Sequence, residues 1–134
     1  MNIEQVTGAC GAEITGVSLD SLSNAEFDQV HTALLDHGVL FFRDQNISLD
    51  AQVAFANRFG PLEVHPIVDG MDENPRITKV PKPAGESASF GTGWHTDNSF
   101  FEAPSMGSVL YGKTIPPFAG DTLFANQYLP YEAL

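Results

Sequence analysis

The sequence predicts an α/β domain, mostly β at its core and flanked by helices, on three observations. Two windows, residues 23–38 and 48–60, carry apolar residues at helical spacing between start and stop signals. Short apolar or alternating runs of strand length recur at 3–19, 39–42, 76–80, 109–111 and 122–124. Proline, glycine and small hydroxyl residues fill the stretches between them, as turns require. With 134 residues, the chain fits a single domain, residues 1–134, large enough to bury about 65–70% of its unfolded surface.

The first helix opens on Ser23-Asn24-Ala25-Glu26, a capping box in which serine and glutamate each satisfy the other's backbone N–H. Phe27, Val30, Leu34 and Leu35 follow on one face, and Gly38 supplies the left-handed stop. His31 lies on or beside that face and is expected to pack there, while His37 suits the negative end of the helix dipole. Ser48 and Asp50 open the second helix, which turns Leu49, Val53, Phe55, Ala56 and Phe59 inward and stops at Gly60-Pro61.

Residues 3–19, with glycines at 8, 11 and 16, read as two short strands joined by a turn. Val39-Leu40-Phe41-Phe42 is a continuous apolar run, expected of a strand buried on both faces. Arg76–Val80, Val109-Leu110-Tyr111 and Thr122-Leu123-Phe124 read as further strands. Residues 61–75 are loop-like, and residues 81–93 are expected to form a flexible loop. Residues 128–134 resemble the start of another helix, with Pro130 in its first turn.

Charge and composition exclude several functions. A net charge of −11, with no Lys or Arg before Arg43, argues against a nucleic-acid partner, which needs clustered basic residues. The single cysteine, Cys10, excludes an internal disulfide and a cysteine-based zinc site. No signal-like N-terminus and no apolar run of membrane-spanning length is present, so a soluble, cytoplasmic protein without a membrane partner is expected.

The chemistry centres on Gly93-Trp94-His95-Thr96-Asp97-Asn98-Ser99-Phe100. In an extended run, His95 and Asp97 would project from the same face. They would then supply two members of the 2-His-1-carboxylate triad that holds non-haem Fe(II). The plainer reading of the tripeptide alone is an aspartate capping a turn beside a packed histidine. Trp94 and Phe100 are expected in the core. Gly91-Thr92-Gly93 is too short and wrongly placed for a nucleotide loop.

Four segments together resemble the taurine dioxygenase family of Fe(II)- and 2-oxoglutarate-dependent oxygenases. They are Phe42-Arg43-Asp44-Gln45, Arg58-Phe59-Gly60-Pro61 with His65-Pro66, Trp94-His95-Thr96-Asp97 and Gly120-Asp121-Thr122-Leu123-Phe124. They occur in the family's order and at similar spacing, over essentially the whole chain. The resemblance implies a double-stranded β-helix (a cupin-like jelly roll) flanked by helices. It implies His95 and Asp97 as iron ligands, Thr122 as hydrogen-bond partner of the 2-oxoglutarate carboxylate, and His65 and Asn98 beside the substrate. The implied reaction hydroxylates a small organic acid of sulfonate or carboxylate type, using molecular oxygen and converting 2-oxoglutarate to succinate and CO2. Val68 and Gly91 stand where taurine-specific members carry a tyrosine and an asparagine, which argues against taurine itself. Asn98 stands where taurine dioxygenase has an apolar residue.

No histidine follows His95, and neither Lys82 nor Lys113 matches the family arginine that pairs with 2-oxoglutarate. The chain therefore reads as the N-terminal part of such an oxygenase, with two of three iron ligands and an incomplete jelly roll that leaves unpaired edges. Two other readings fit the same residues. One is a catalytically incomplete remnant that binds a partner or completes its fold as a homo-oligomer. The other, a cupin-type metal isomerase or binding protein, needs more ligands than the pair found here.

Overall fold

The computed structural model describes residues 1–65, 67–81, 85, 93–118 and 120–134. They form two compact units, residues 1–55 with 110–134, and residues 56–109.

In the first unit, β1 (Asn2–Gln5) and β2 (Ala12–Thr15) form the expected antiparallel pair, with Ile3 opposite Ile14. The Thr7 hydroxyl shapes their connection: it accepts from the backbone N–H groups of Ala9 and Cys10 and donates to the Cys10 carbonyl. After β2 the chain enters α1 (Asn24–His37), then returns as β3 (Leu40–Phe42), parallel to β2 with Ala12 opposite Leu40. The sheet order is β1-β2-β3.

The local signals explain α1. Ser23 Oγ accepts from the Glu26 N–H, and the Glu26 carboxylate accepts from the Ser23 N–H at 2.9 Å and its hydroxyl at 2.7 Å. Those bonds, the side-chain hydroxyl first, hold the Glu26 carboxyl below its ordinary value. At the other end Gly38 takes φ 73°, a left-handed conformation that costs a glycine nothing, and its N–H reaches the Leu34 carbonyl.

α1 presents Val30 and Ala33 to the core, where Ala12, Ile14, Leu19, Ile47 and Phe55 are also buried. Ile14 and Val30 are the largest fully buried side chains, each worth about 1.5–3 kcal/mol of transfer free energy. His31 is half-buried with its ring 6.1 Å from that of Phe27, as a packed helix histidine should be. α2 (Leu49–Asn57) starts where Ser48 Oγ accepts from the Ala51 N–H and directs Phe55 inward, edge-on to Phe42 at 5.8 Å.

Gln45, in the segment after β3, joins three backbone groups. Its Oε1 accepts from the Leu19 N–H, and its Nε2 donates to the carbonyls of Val17 and Arg43. The Gln45 carbonyl accepts from the Tyr111 hydroxyl, and Asn126 Nδ2 donates to the Ala9 carbonyl. Phe124 meets Phe41 edge-on at 6.2 Å. These contacts seat residues 110–134 within their unit. The segment ends in α3 (Tyr128–Glu132), with Pro130 in its only turn and a lengthwise exposed surface.

Several expectations are corrected. β3 is half-buried rather than enclosed on both faces, because it is an edge strand of a small sheet. Residues 76–80, 109–111 and 122–124 are not strands, although their β propensity is high: Arg76 lies in a turn and the rest have no regular structure. Propensity is realised only against a partner, and no described segment pairs with them. The described residues thus form a small mixed α/β sheet with helices, and a jelly roll is not among their elements.

In the second unit the chain after α2 is held by turns. Met71 and Asn74 form an isolated bridge, the Met71 N–H reaches the Ile77 carbonyl at 2.8 Å, and Ile77 returns a bond to the Asn74 carbonyl. Gly70 is required there, since any Cβ would collide with the Pro75 carbonyl. The loop expected at 81–93, with Lys82 and Gly91, lies almost wholly outside the described residues. Among the described residues, no helix is long and apolar enough to cross a membrane.

Candidate active site

The second unit carries His65, His95, Asp97 and Asn98. The run around His95 is not an extended strand. Trp94–Thr96 have no regular structure, and Asp97–Phe100 form a turn closed by the Phe101 N–H on the Asn98 carbonyl at 3.1 Å. Asn98 enables the turn by adopting φ 53°, a left-handed conformation that asparagine tolerates better than most residues. Thr96 Oγ1 donates to Ser99 Oγ at 2.7 Å across the same turn.

The turn brings His95 and Asp97 together by a route that strand alternation does not describe. His95 Nδ1 lies 2.8 Å from the Gly93 carbonyl. A carbonyl only accepts, so Nδ1 carries the hydrogen and the neutral ring keeps its lone pair on Nε2. That nitrogen is 3.2 Å from Asp97 Oδ1. Two electron-rich atoms this close are stable only with positive charge between or upon them, either a ring proton or a cation. Two ligands each ~2.1 Å from a metal, at right angles, would stand roughly 3 Å apart. The backbone carbonyl on the far nitrogen is also the usual outer partner of a metal-ligating histidine.

The pair therefore fits a divalent metal, and its side chains, 55% and 67% exposed, are accessible to one. It remains a two-donor set: among the described residues no group of three or more His, Cys, Asp or Glu could hold a metal ion.

His65 is half-buried, and its Nδ1 accepts from the N–H groups of Ile67 at 3.2 Å and Val68 at 3.0 Å. Its neutral ring thus carries the hydrogen on Nε2, the opposite tautomer to His95. Asn98 is half-buried and donates through Nδ2 to Ser105 Oγ at 3.0 Å. Ser105 Oγ in turn donates to Glu63 Oε2 at 2.6 Å. Thr122 belongs to the first unit, on an exposed segment without regular structure, just after Gly120 turns the chain at φ 87°.

Trp94 and Phe100 are corrected: they are 72% and 66% exposed, not core. Sequence reasoning missed Glu63 and Ser105, which are 42 residues apart and carry no local signal of their pairing. It also left Gln45 without a role, although the residue lies in one of the matching segments.

Residues 2–134 match the family model described as taurine catabolism dioxygenase TauD, TfdA family, and the chain belongs to that family. Over its full length it is 38% identical to an alkylsulfatase from Acinetobacter baylyi, of which it covers 42%. Likewise it is 34% identical to an alpha-ketoglutarate-dependent sulfate ester dioxygenase from Pseudomonas putida, covering 44%. A (S)-phenoxypropionate/alpha-ketoglutarate-dioxygenase from Delftia acidovorans is 32% identical over 96% of this chain, which covers 47% of that protein. A solved taurine dioxygenase from Burkholderia xenovorans matches with TM-score 0.51 and 36% identity, over 55% of this chain and 27% of that one. The chain spans less than half the length of these curated relatives.

Proposed function

We propose that these residues belong to an Fe(II)- and 2-oxoglutarate-dependent dioxygenase that hydroxylates a small organic acid. His95 and Asp97 are its first two metal ligands. The observation that carries the reading is the donor pair itself, with Nε2 facing Asp97 Oδ1 at 3.2 Å in a chain of this family. Neutral imidazole and carboxylate suit iron(II), and the carboxylate offsets part of the metal's charge. When bound, the iron would supply the oxygen chemistry: one O2 atom enters a substrate C–H bond and the other the succinate left when 2-oxoglutarate loses CO2.

The protein's own work is positional. The Gly93 carbonyl keeps His95 in the tautomer that ligates, and the turn at 97–100 fixes Asp97 beside it. Thr122 is assigned to the 2-oxoglutarate carboxylate, and His65 and Asn98 to the substrate side. Relatives named for sulfate esters and phenoxypropionate support a substrate that pairs an anionic group with an oxidisable carbon. A jelly roll, completed by further strands, is the architecture this reading requires. Val68 and Gly91, standing in place of a tyrosine and an asparagine, speak against taurine itself.

Anaerobic titration with Fe(II) and then 2-oxoglutarate tests the reading. A saturable visible charge-transfer band, lost in both His95→Ala and Asp97→Ala, is the expected result. A band that survives both substitutions, or a folded protein that yields none, would contradict it. The second reading, a module that only binds or oligomerises, draws on the two-donor set and on the exposed Leu110, Phe118, Leu123 and Tyr131. Self-association in sedimentation without the metal-dependent band would favour it.

A further inference from the structure

We infer that Glu63, Ser105 and Asn98 are positioning residues that hold the metal-donor turn in register with the His65 segment. The inference rests on the assignment of His95 and Asp97 as ligands, but it concerns side chains to which nothing above gives a role in metal binding. The chain of bonds has a fixed polarity. The Glu63 carboxylate can only accept, so Ser105 spends its one hydrogen on it at 2.6 Å. The Ser105 oxygen is then left as acceptor for Asn98 Nδ2 at 3.0 Å. A hydroxyl donating to a carboxylate is the stronger kind of hydrogen bond, and a polarised donor accepts better in turn.

Its placement gives the relay its consequence. Asn98 follows Asp97 directly and is the residue whose left-handed backbone makes the turn. Tethering its side chain therefore limits rotation of the peptide that carries Asp97. Glu63 stands two residues before His65, whose own ring is pinned by the Ile67 and Val68 N–H groups. One carboxylate–hydroxyl–amide chain thus ties together the segments bearing the donor pair and His65. The ends it joins are 42 residues apart in sequence, so the link is a long-range one. Residues that orient a ligand from outside the coordination sphere typically change metal affinity 10–100-fold.

The test uses Mn(II) binding followed by electron paramagnetic resonance on wild-type protein, Ser105→Ala and Ser105→Thr. Ser105→Ala should weaken Mn(II) binding about tenfold, and Ser105→Thr, which keeps the hydroxyl, should return it to within about twofold. Equal affinity in all three, or a threonine variant as weak as the alanine one, overturns the inference. A second readout needs no metal: the imidazole nitrogen spectrum of His95 and the amide protection of residues 93–101. Ser105→Ala should blur the single tautomer and lower that protection, whereas an unchanged spectrum overturns the inference even if wild-type protein binds no Mn(II). Failure of the ligand assignment would show instead as Mn(II) binding insensitive to His95→Ala.

Discussion

Residues 1–55 and the residues after them solve the folding problem to different degrees. Every buried hydrophobic side chain among the described residues lies between Ala12 and Phe55. The sheet, α1 with its cap motifs and most of α2 fall within residues 1–55. Every candidate site residue, from His65 to Thr122, lies in the remainder, where Trp94, Leu110, Phe118 and Tyr131 are exposed. The buried side chains come from elements close in sequence, whereas β-type runs without partner strands remain irregular whatever their propensity. The site is carried by hydrogen-bonded turns rather than by close packing.

The contrast sets the order of mutational effects. Ile14→Ala, at the centre of the sheet, should cost about 2–5 kcal/mol, read as a lower urea midpoint with an unchanged slope. A smaller loss would mean the core is loosely packed and the contrast overstated. Gly70→Ala forces a Cβ against the Pro75 carbonyl, at a cost of about 1–3 kcal/mol. Its signature should be faster amide exchange at Met71 and Ile77, with the first unit unaffected.

Ser23→Ala removes half of a capping box and should cost about 1 kcal/mol, seen as reduced helical ellipticity. Its pH dependence has a definite sign. The Glu26 carboxyl is held below its ordinary value of 4.5, first by the Ser23 side chain and then by its backbone N–H. A carboxylate lowered on folding stabilises above its unfolded value and loses that contribution as pH falls through the folded one. Acid titration from pH 6 should therefore weaken α1 below about 4.5 in wild type, and less steeply in Ser23→Ala. The smallest effect is expected for Phe118→Ala. This ring is 97% exposed, so the change should stay within about 0.5 kcal/mol; a large loss would show that the ring is covered in solution.

These two regions also divide what the sequence made legible. The bounds of α1 could be read, because Ser23, Glu26 and Gly38 act within one turn of the helix ends. The β1–β2 hairpin was readable from Ile3, Ile14 and the intervening glycines for the same reason. The inner face of α1 was read less well: Leu35, expected on it, is 67% exposed, and Ala33 is buried instead. The runs 109–111 and 122–124 misled, since β propensity reports a residue's preference and not whether a partner strand exists. At the site, the closeness of His95 and Asp97 was expected, but for an incomplete reason. They converge through the left-handed Asn98 and the Gly93 carbonyl, not through strand alternation. Glu63 with Ser105 was beyond reach, because nothing in either neighbourhood encodes a contact across 42 residues.

The His95–Asp97 turn, and no other acidic surface, is proposed to receive the divalent metal. Paramagnetic broadening tests it directly, by adding substoichiometric Mn(II) to nitrogen-15-labelled protein and following the amides one by one. Selective loss of the Gly93–Phe101 signals, abolished by Asp97→Asn, is the result this account predicts. Broadening centred on the acidic loop of Asp69, Asp72 and Glu73, or on Asp28 and Asp36 of α1, with residues 93–101 unchanged, would contradict it.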